Sequence, residues 1–497
     1  MKRADLAGTR LGISLAAMIT MLGCAAPDAV PGDGGGGNTG PTTGPGGPST
    51  VVGTDVAWAR TFGDASATAQ RGRDVSFDPK SDTIVTTVEF NVTLDVVGLP
   101  GSPLTTTGGT DTLVLRYPTD GDVPLWGARV GGTGEQASVS AAIDVAGNVV
   151  VAGGFQGALD LAGTSLNANG VADVFVAKFD PSGNALWVKQ FGDGEAQIAT
   201  DVAVDDEGNI IVVGFAKSAI DFGLGPVTPV SDQDLFVAKF DPGGTNVWAI
   251  RPGRAADLDY RNPTISVAHV GDGKVVVTGA SEGLLAFPPL AIPAKGQGDA
   301  FLVEIGADGQ AIWGDSFGAM NTRQRGYGVA AGPEGEIAMT GEMTGTVNFG
   351  GVDLESRGGA DMFVAVYNAA GKHRWSRRFG GAATQSGRGV AIDGEGNVLV
   401  TGLYAGALEF FGENAFVNVD LADSAWDGFT TKLDPTGSVV WAVSLSGPQQ
   451  QVPSAIAALS DGSAVVAGWY ENQLLPSGAQ ALPGTGDADG FILSLAP

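Results

Sequence analysis

Asp201-Val202-Ala203-Val204-Asp205 opens the stretch that decides the fold, and Trp248 closes it. The first five residues alternate with the two-residue period of a half-buried strand. Asp206-Glu207-Gly208-Asn209 follows with turn chemistry, since Asp and Asn side chains bond their own backbone and Gly takes positive φ. Ile210 to Gly214 is a β-branched run. After a long connection, Leu235-Phe236-Val237-Ala238-Lys239-Phe240 reads as another strand, Asp241-Pro242-Gly243-Gly244 as a turn, and the residues around Trp248 as a last strand. The unit therefore holds four strands, A to D, and nothing in it has the 3.6-residue period of a helix.

This unit recurs seven times. Trp58, Trp126, Trp187, Trp248, Trp313, Trp375 and Trp441 stand 61 to 68 residues apart, and only Trp426 and Trp469 fall outside the series. Phe-Gly follows several of them, as at Phe191-Gly192 and Phe379-Gly380. A second series, Asp111, Asp173, Asp234, Asp299, Asp361, Asp427 and Asp489, stands two places before Leu113, Phe175, Phe236, Phe301, Phe363, Phe429 and Phe491. Four-stranded units of about 63 residues suit the blades of a propeller. The expectation is an all-β fold, a seven-bladed β-propeller of four-stranded antiparallel blades over residues 55–497. The domain begins on a D strand, Val56 to Phe62, and ends on a C strand, Phe491 to Leu495. The N-terminal strand is thus expected to complete the last blade, close the ring and cover two open sheet edges.

The run Asp173-Val174-Phe175-Val176-Ala177-Lys178-Phe179-Asp180-Pro181-Ser182-Gly183, continuing to Trp187, resembles the SBBP β-propeller repeat of bacterial envelope proteins. Blade 1 (Arg116, Tyr117, Pro118) and blade 4 (Glu304, Ile305, Gly306) depart from the pattern. The resemblance implies the propeller and an extracytoplasmic setting. It implies no catalytic residue, because the repeat motif has none.

The chain has 497 residues, 54 acidic against 27 basic, for a net charge of −27. That balance argues against nucleic acid, whose phosphates need clustered Lys and Arg. One cysteine and two histidines exclude a disulfide framework and a Cys- or His-rich metal centre. The single cysteine has a distinctive place. Lys2, Arg3 and Arg10 precede an apolar stretch, Leu11 to Leu22, that is too short to span a bilayer. It ends Met21-Leu22-Gly23-Cys24, which resembles the lipobox of bacterial lipoproteins. Residues 1–23 are expected to be a lipoprotein signal peptide and Cys24 the lipid-attachment residue. Ala25 then suggests the outer membrane, facing the periplasm or the cell surface. The Gly/Pro-rich segment up to residue 54 has no apolar periodicity and reads as a tether with a reach of roughly 30 Å.

Repeat positions divide into builders and candidates for binding. The middle of strand A carries Ser76, Ala142, Ala203, Ser266, Ala330, Ala391 and Ala457, small residues that let blades converge on the axis. The Asp series is expected to accept backbone N–H groups from the Gly-rich loops before strand C, with calcium as the lesser reading; Asp487-Ala488-Asp489-Gly490 alone looks like part of a calcium loop. Gln70, Gln136, Gln197, Gln324, Gln385 and Gln451, with Tyr260 in the blade 4 slot, are expected to close the D–A loops. Three places later stand Arg73, Val139, Thr200, Pro263, Tyr327, Arg388 and Ser454. This position varies and belongs at the channel mouth, where a repeated scaffold is specialised for a ligand. Arg73, Tyr327 and Arg388 are the leading ligand-binding candidates, with Arg323 and Arg325 nearby.

D–A and B–C loops emerge on one side, the expected binding face. Lys372, His373, Arg374, Arg377 and Arg378 form a basic cluster on the other. His269 is expected to be buried in its strand and His373 to lie in a C–D turn, so no Ser/His/Asp set is legible. The sequence therefore favours a non-enzymatic binding or scaffold module anchored at the envelope, with a protein or glycan ligand. The alternative is a polysaccharide lyase or hydrolase that uses carboxylates on the propeller face. No cofactor, metal or nucleic acid is expected, and the molecule is expected to be a monomer.

Overall fold

The computed structural model describes residues 54–63, 69–254, 265–410, 413–417, 425–485 and 487–497. Cys24, the signal segment and the tether up to residue 53 lie outside these residues, as do Tyr260 and Pro263. Among the described residues, strands A to D build seven antiparallel sheets. Blade 1 comprises Gln70–Asp78, Thr83–Phe90, Asp111–Pro118 and Trp126–Gly131. Blade 2 comprises Gln136–Ile143, Val149–Phe155, Asp173–Phe179 and Ala185–Phe191, and blade 3 Gln197–Val204, Ile210–Ala216, Asp234–Phe240 and Asn246–Arg254. Blade 4 is Ser266–Gly271, Lys274–Ser281, Asp299–Ile305 and Ala311–Phe317; blade 5 is Gln324–Ala331, Ile337–Met343, Asp361–Tyr367 and His373–Phe379. Blade 6 is Gln385–Ile392, Val398–Tyr404, Asp427–Leu433 and Val439–Ser446. Blade 7 takes Gln451–Ala458, Ala464–Tyr470 and Asp489–Leu495, and its D strand is the N-terminal Val56–Phe62.

That last strand closes the ring. Trp58 sits opposite Ser494 and Phe62 opposite Gly490. Beyond the strand ends, the Ala496 N–H donates to the Asp55 carbonyl at 2.9 Å. Strand A of blade 1 packs on strands A and B of blade 7, so the first and last repeats meet as neighbours.

Strands B and C lie between adjacent blades and are covered on both faces, which is why they read as continuous apolar runs. Every residue of Ile210–Ala216 and Asp234–Phe240 is buried. The cores are interblade: Ile211, Val213 and Val237 of blade 3 pack with Val267, Val277 and Phe301 of blade 4.

The small-residue ring needs one correction. Ala203 pairs with Ile211, and its counterpart in blade 4 is Ala268, opposite Val276, rather than Ser266. The two-residue slip left the alternation intact, because side chains two apart share a face. For the same reason the blade 4 counterpart of Thr200 is Ile265.

Each B–C connection folds into its own hairpin. Ala158–Leu161 pairs with Thr164–Asn167 and then with the D strand of blade 1 through Asp160 and Leu161. Gln473–Pro476 docks likewise on the D strand of blade 6. D strands are outermost, so these hairpins lean toward the rim and leave the axial channel bordered by the starts of the A strands.

Candidate functional site

The channel site is made by a repeated irregularity. In strand A of five blades, pairing with strand B skips one residue, and the skipped residues are Arg73, Thr200, Tyr327, Arg388 and Ser454. In blade 2 the skip covers two residues, of which Val139 is the second. A bulge bends its strand and re-aims one side chain. The variable position recognised in the sequence is this bulge. All six residues, with Ile265 of blade 4, line one cavity of about 340 Å³ at the D–A/B–C end of the channel. Glu89, Leu403 and Trp469, from the ends of B strands, complete its wall.

Two of the three leading candidates meet: the Arg388 guanidinium lies 4.2 Å from the Tyr327 ring centroid, a cation–π contact. Burial, with the Glu342 carboxylate nearby, pushes the Tyr327 hydroxyl well above its usual range. Arg73 sits in blade 1 and pairs with Glu89 at 2.6 Å, where Glu89 is almost fully buried. Arg325 and Arg323 are not among the residues lining the cavity. Arg325 binds Glu342 at 2.6 Å. Arg323 is exposed on the rim, and its backbone is held by Thr344.

Sequence reasoning missed the acidic wall. Asp74 and Asp201 occupy equivalent positions in blades 1 and 3, next to the bulge. Asp74 accepts the Ala141 N–H at 2.8 Å and the Ser140 hydroxyl at 2.9 Å. Asp201 accepts the Val267 N–H and the Ser266 hydroxyl, both at 2.9 Å. Each carboxyl thereby ties its blade to the next. Ser140 Oγ also lies 2.8 Å from Asp201 Oδ1. A hydroxyl has one proton, so it serves both acids only when one of them is protonated. Burial raises Asp201 to about 6, the neighbouring Asp74 charge adding to it, and burial raises Asp74 as well. The signal available in the sequence was the pair of Asp residues just after the variable position in blades 1 and 3.

The glutamines are all fully buried and do more than close the D–A loops. Gln385 accepts the Gly381 N–H of its D–A loop and donates to the Ala405 and Ala407 carbonyls of the B–C connection. Five members of the Asp series accept backbone N–H groups four residues upstream, as Asp173 does from Asn169 at 3.0 Å and Asp361 from Arg357 at 2.8 Å, whereas Asp111 accepts from Arg129 and the Gly132 N–H. The basic cluster is split by strand alternation. Arg378 pairs with buried Asp361 at 2.7 Å, Arg377 lies against Trp375, and Lys372 and Arg374 are exposed. His373 contacts Ser376 and the Tyr367 ring, and burial lowers its pKa. His269 is only half-buried, 3.5 Å from Asp206.

Residues 374–403, from the D strand of blade 5 to the B strand of blade 6, match the family model described as SBBP, a beta-propeller repeat. The chain matches that model over the length of one such segment. It is also 21% identical over 453 residues to an uncharacterised WD repeat-containing protein of Acanthamoeba polyphaga mimivirus, covering 73% of this chain and 32% of that protein. It is 26% identical over 168 residues to the regulatory protein FlaEY of Caulobacter vibrioides, covering 33% of this chain and 17% of that one. The matches thus span about a third and a sixth of those relatives. Similar solved structures include a protein of unknown function from Dyadobacter fermentans (TM-score 0.37, 12% identity, 72% of this chain and 94% of that one). A quinohemoprotein alcohol dehydrogenase of Pseudomonas putida gives a TM-score of 0.37 at 10% identity, over 88% of this chain and 76% of that one. A gluconolactonase of Xanthomonas campestris gives 0.34 at 12%, over 74% and 90%.

The conspicuous residues of the repeated unit are largely ties between blades. In five blades the repeat Trp donates its indole N–H to the C–D turn of the next, as Trp126 does to Pro181, Trp187 to Pro242 and Trp375 to Pro435, at 2.9 to 3.1 Å, whereas Trp313 donates to Glu304 of its own blade. The turn Gly packs beneath that ring. Gly183 has φ of +85°, and a Cβ there would fall 2.7 Å from Trp126. The repeat Lys is buried against an A–B turn Asp, as in Lys178–Asp144, Lys239–Asp205 and Lys432–Asp393, at 2.8 to 3.0 Å. It also reaches a carbonyl of the next blade, Gly273 for Lys239 and Gly462 for Lys432. In divergent blade 1, Arg116 does the same work, pairing with Asp78 and reaching Gly147.

Proposed function

We propose that this propeller is a non-enzymatic binding or scaffold module whose ligand, a glycan or a protein segment, seats at the channel mouth on the D–A/B–C face. One observation carries the reading. The recurring features of the repeat serve largely as blade-to-blade ties, whereas the bulges of six blades deliver a varied position of the repeat into a shared cavity. The same reading places Cys24 as the lipid attachment and the Gly/Pro segment as a tether, holding the propeller at the cell envelope, in the outer membrane.

A second reading has its own observation: Asp201, raised to about 6 beside Asp74, has the makings of an acid–base pair for glycan cleavage. Against it, both carboxyls are committed to N–H and hydroxyl groups of neighbouring blades. The purified protein, incubated with oligosaccharides released from the source envelope, separates the two. Reversible retention without new reducing ends, lost on plugging the channel with Ser454→Trp, supports the binding module. Turnover abolished by Asp201→Asn overturns it. Membrane release of Cys24→Ala, with loss of the lipid mass, tests the anchor; unchanged membrane association and mass contradict it.

A further inference from the structure

The cavity's own chemistry narrows the ligand class, on the footing that the channel mouth is the binding site. Its lining is close to balanced in charge although the protein carries −27: Arg73 and Arg388 face Asp74, Glu89 and Asp201. Both guanidiniums are already engaged, Arg73 by Glu89 and Arg388 by the Tyr327 ring. Neither stands as an isolated charge awaiting a carboxylate or phosphate. The acids are engaged too, with one exception. Glu89 Oε1 is buried at the cavity wall and has no hydrogen-bond partner among the described residues, while Oε2 takes Arg73. A buried acceptor of this kind calls for a donor.

Between the polar groups the wall is apolar. Val139 and Ile265, from blades 2 and 4, and Val452 and Trp469, from blade 7, come around the ring between Asp74/Glu89 of blade 1 and Tyr327/Arg388 of blades 5 and 6, with Leu403 beside Arg388 in blade 6. Hydroxyl-bearing edges alternating with C–H faces match that surface. We infer that the channel mouth takes a neutral saccharide unit, one or two sugar rings in size, with a ring hydroxyl donating to Glu89 Oε1 and an apolar ring face against the Trp469/Leu403 side. Uronates and phosphorylated sugars are disfavoured, because an added anion would lie beside three carboxylates and compete for guanidiniums already neutralised.

Isothermal titration of the purified protein with cellobiose, maltose and chitobiose, set against digalacturonate and glucose 6-phosphate, tests this. At least one neutral disaccharide is expected to bind. Glu89→Gln is expected to weaken it about tenfold or more, the loss of a hydrogen bond to a charged acceptor. Ser454→Trp, which fills the cavity and leaves Arg73 and Glu89 themselves unaltered, is expected to abolish binding and keep the fold. Binding of only the anionic sugars, blocked by Ser454→Trp, overturns the neutral-ligand inference and leaves the channel reading standing. Saccharide binding that survives Ser454→Trp overturns both. No binding by any of the five sugars overturns the inference, and a peptide segment then becomes the ligand class for the channel.

Discussion

Replacing Lys239 by Met is expected to cost about 3–5 kcal/mol, because it leaves the Asp205 carboxylate buried without its cation. The side chains of Lys239 and Asp205 are 4% and 0% exposed, and their charged atoms lie 2.8 Å apart. Lys239 also donates to the Gly273 carbonyl, so the change strips a tie between blades 3 and 4 as well. At about 2.1 cal/mol/K per residue over roughly 440 residues, unfolding entropy is near 0.9 kcal/mol/K, and the loss lowers Tm by about 3–5 °C. Burial works to raise the Asp205 pKa, but its bonds to Lys239 and Asn209 overcome this and hold it below the ordinary range. A depressed carboxylate stabilises the fold above its unfolded pKa of about 3.9 and loses that effect as pH falls through the folded value. The gap between wild type and variant is therefore expected to narrow below about pH 4. Differential scanning calorimetry from pH 3 to 8 measures it. Adding Asp205→Asn is expected to recover part of the loss, since both buried partners are then neutral. As the contrast, Arg357→Ala breaks a pair in which Arg357 is 56% exposed, and should move Tm by about 1 °C or less. A Lys239→Met shift no larger than that of Arg357→Ala, or strict additivity in the double variant, would refute the reasoning.

Other outcomes follow from the same geometry. Gly183→Ala combines a positive φ with a collision against the Trp126 ring, and chemical denaturation is expected to show a loss of about 1–3 kcal/mol. Gln385→Leu strands the Gly381 N–H and two carbonyls, and should cost about 1–3 kcal/mol, with faster amide exchange confined to the D–A and B–C loops of blade 6. Asp201 has a raised pKa of about 6, so its contribution to stability is full below its unfolded pKa and lost as pH rises through 6. Asp201→Asn, fixed in the uncharged form, is accordingly expected to gain on wild type in Tm between pH 5 and 7; a parallel pair of curves would contradict this.

Much of the fold was legible because it repeats. A Trp, an Asp and a Gly-rich turn recurring at similar intervals mark one supersecondary unit, and a chain starting on D and ending on C leaves one way to close the ring. The channel position was legible too, since Arg73, Tyr327 and Arg388 bring large polar side chains to one place in the repeat, beside small residues such as Gly326, Gly328, Gly387 and Gly389. What stayed hidden depended on contacts between units. Asp74, Ser140 and Asp201 belong to three blades and meet only after the ring closes. The bulge itself is hard to read in the pattern, because small neighbours, as in Gly326-Tyr327-Gly328 and Gly387-Arg388-Gly389, leave little apolar alternation for an extra residue to interrupt. Blade 4 misled by two residues for the reason that protects a strand's face: a slip of two keeps the same side inward. The basic cluster looked coherent in sequence, yet strand alternation turns the adjacent Arg377 and Arg378 to opposite faces, one against Trp375 and the other to Asp361, while Arg374 falls at an irregularity in the pairing and is exposed.

Where the ligand sits is the claim on which the rest depends, and hydrogen–deuterium exchange with and without the oligosaccharides released from the source envelope tests it directly. Slowed exchange is expected at the bulged starts of the A strands, residues 72–74, 326–328 and 387–389, with the outer groove that His373 to Arg377 form with Gly351, Val352, Pro435 and Thr436 unchanged. Protection confined to that outer groove, with the channel residues unaffected, would contradict it.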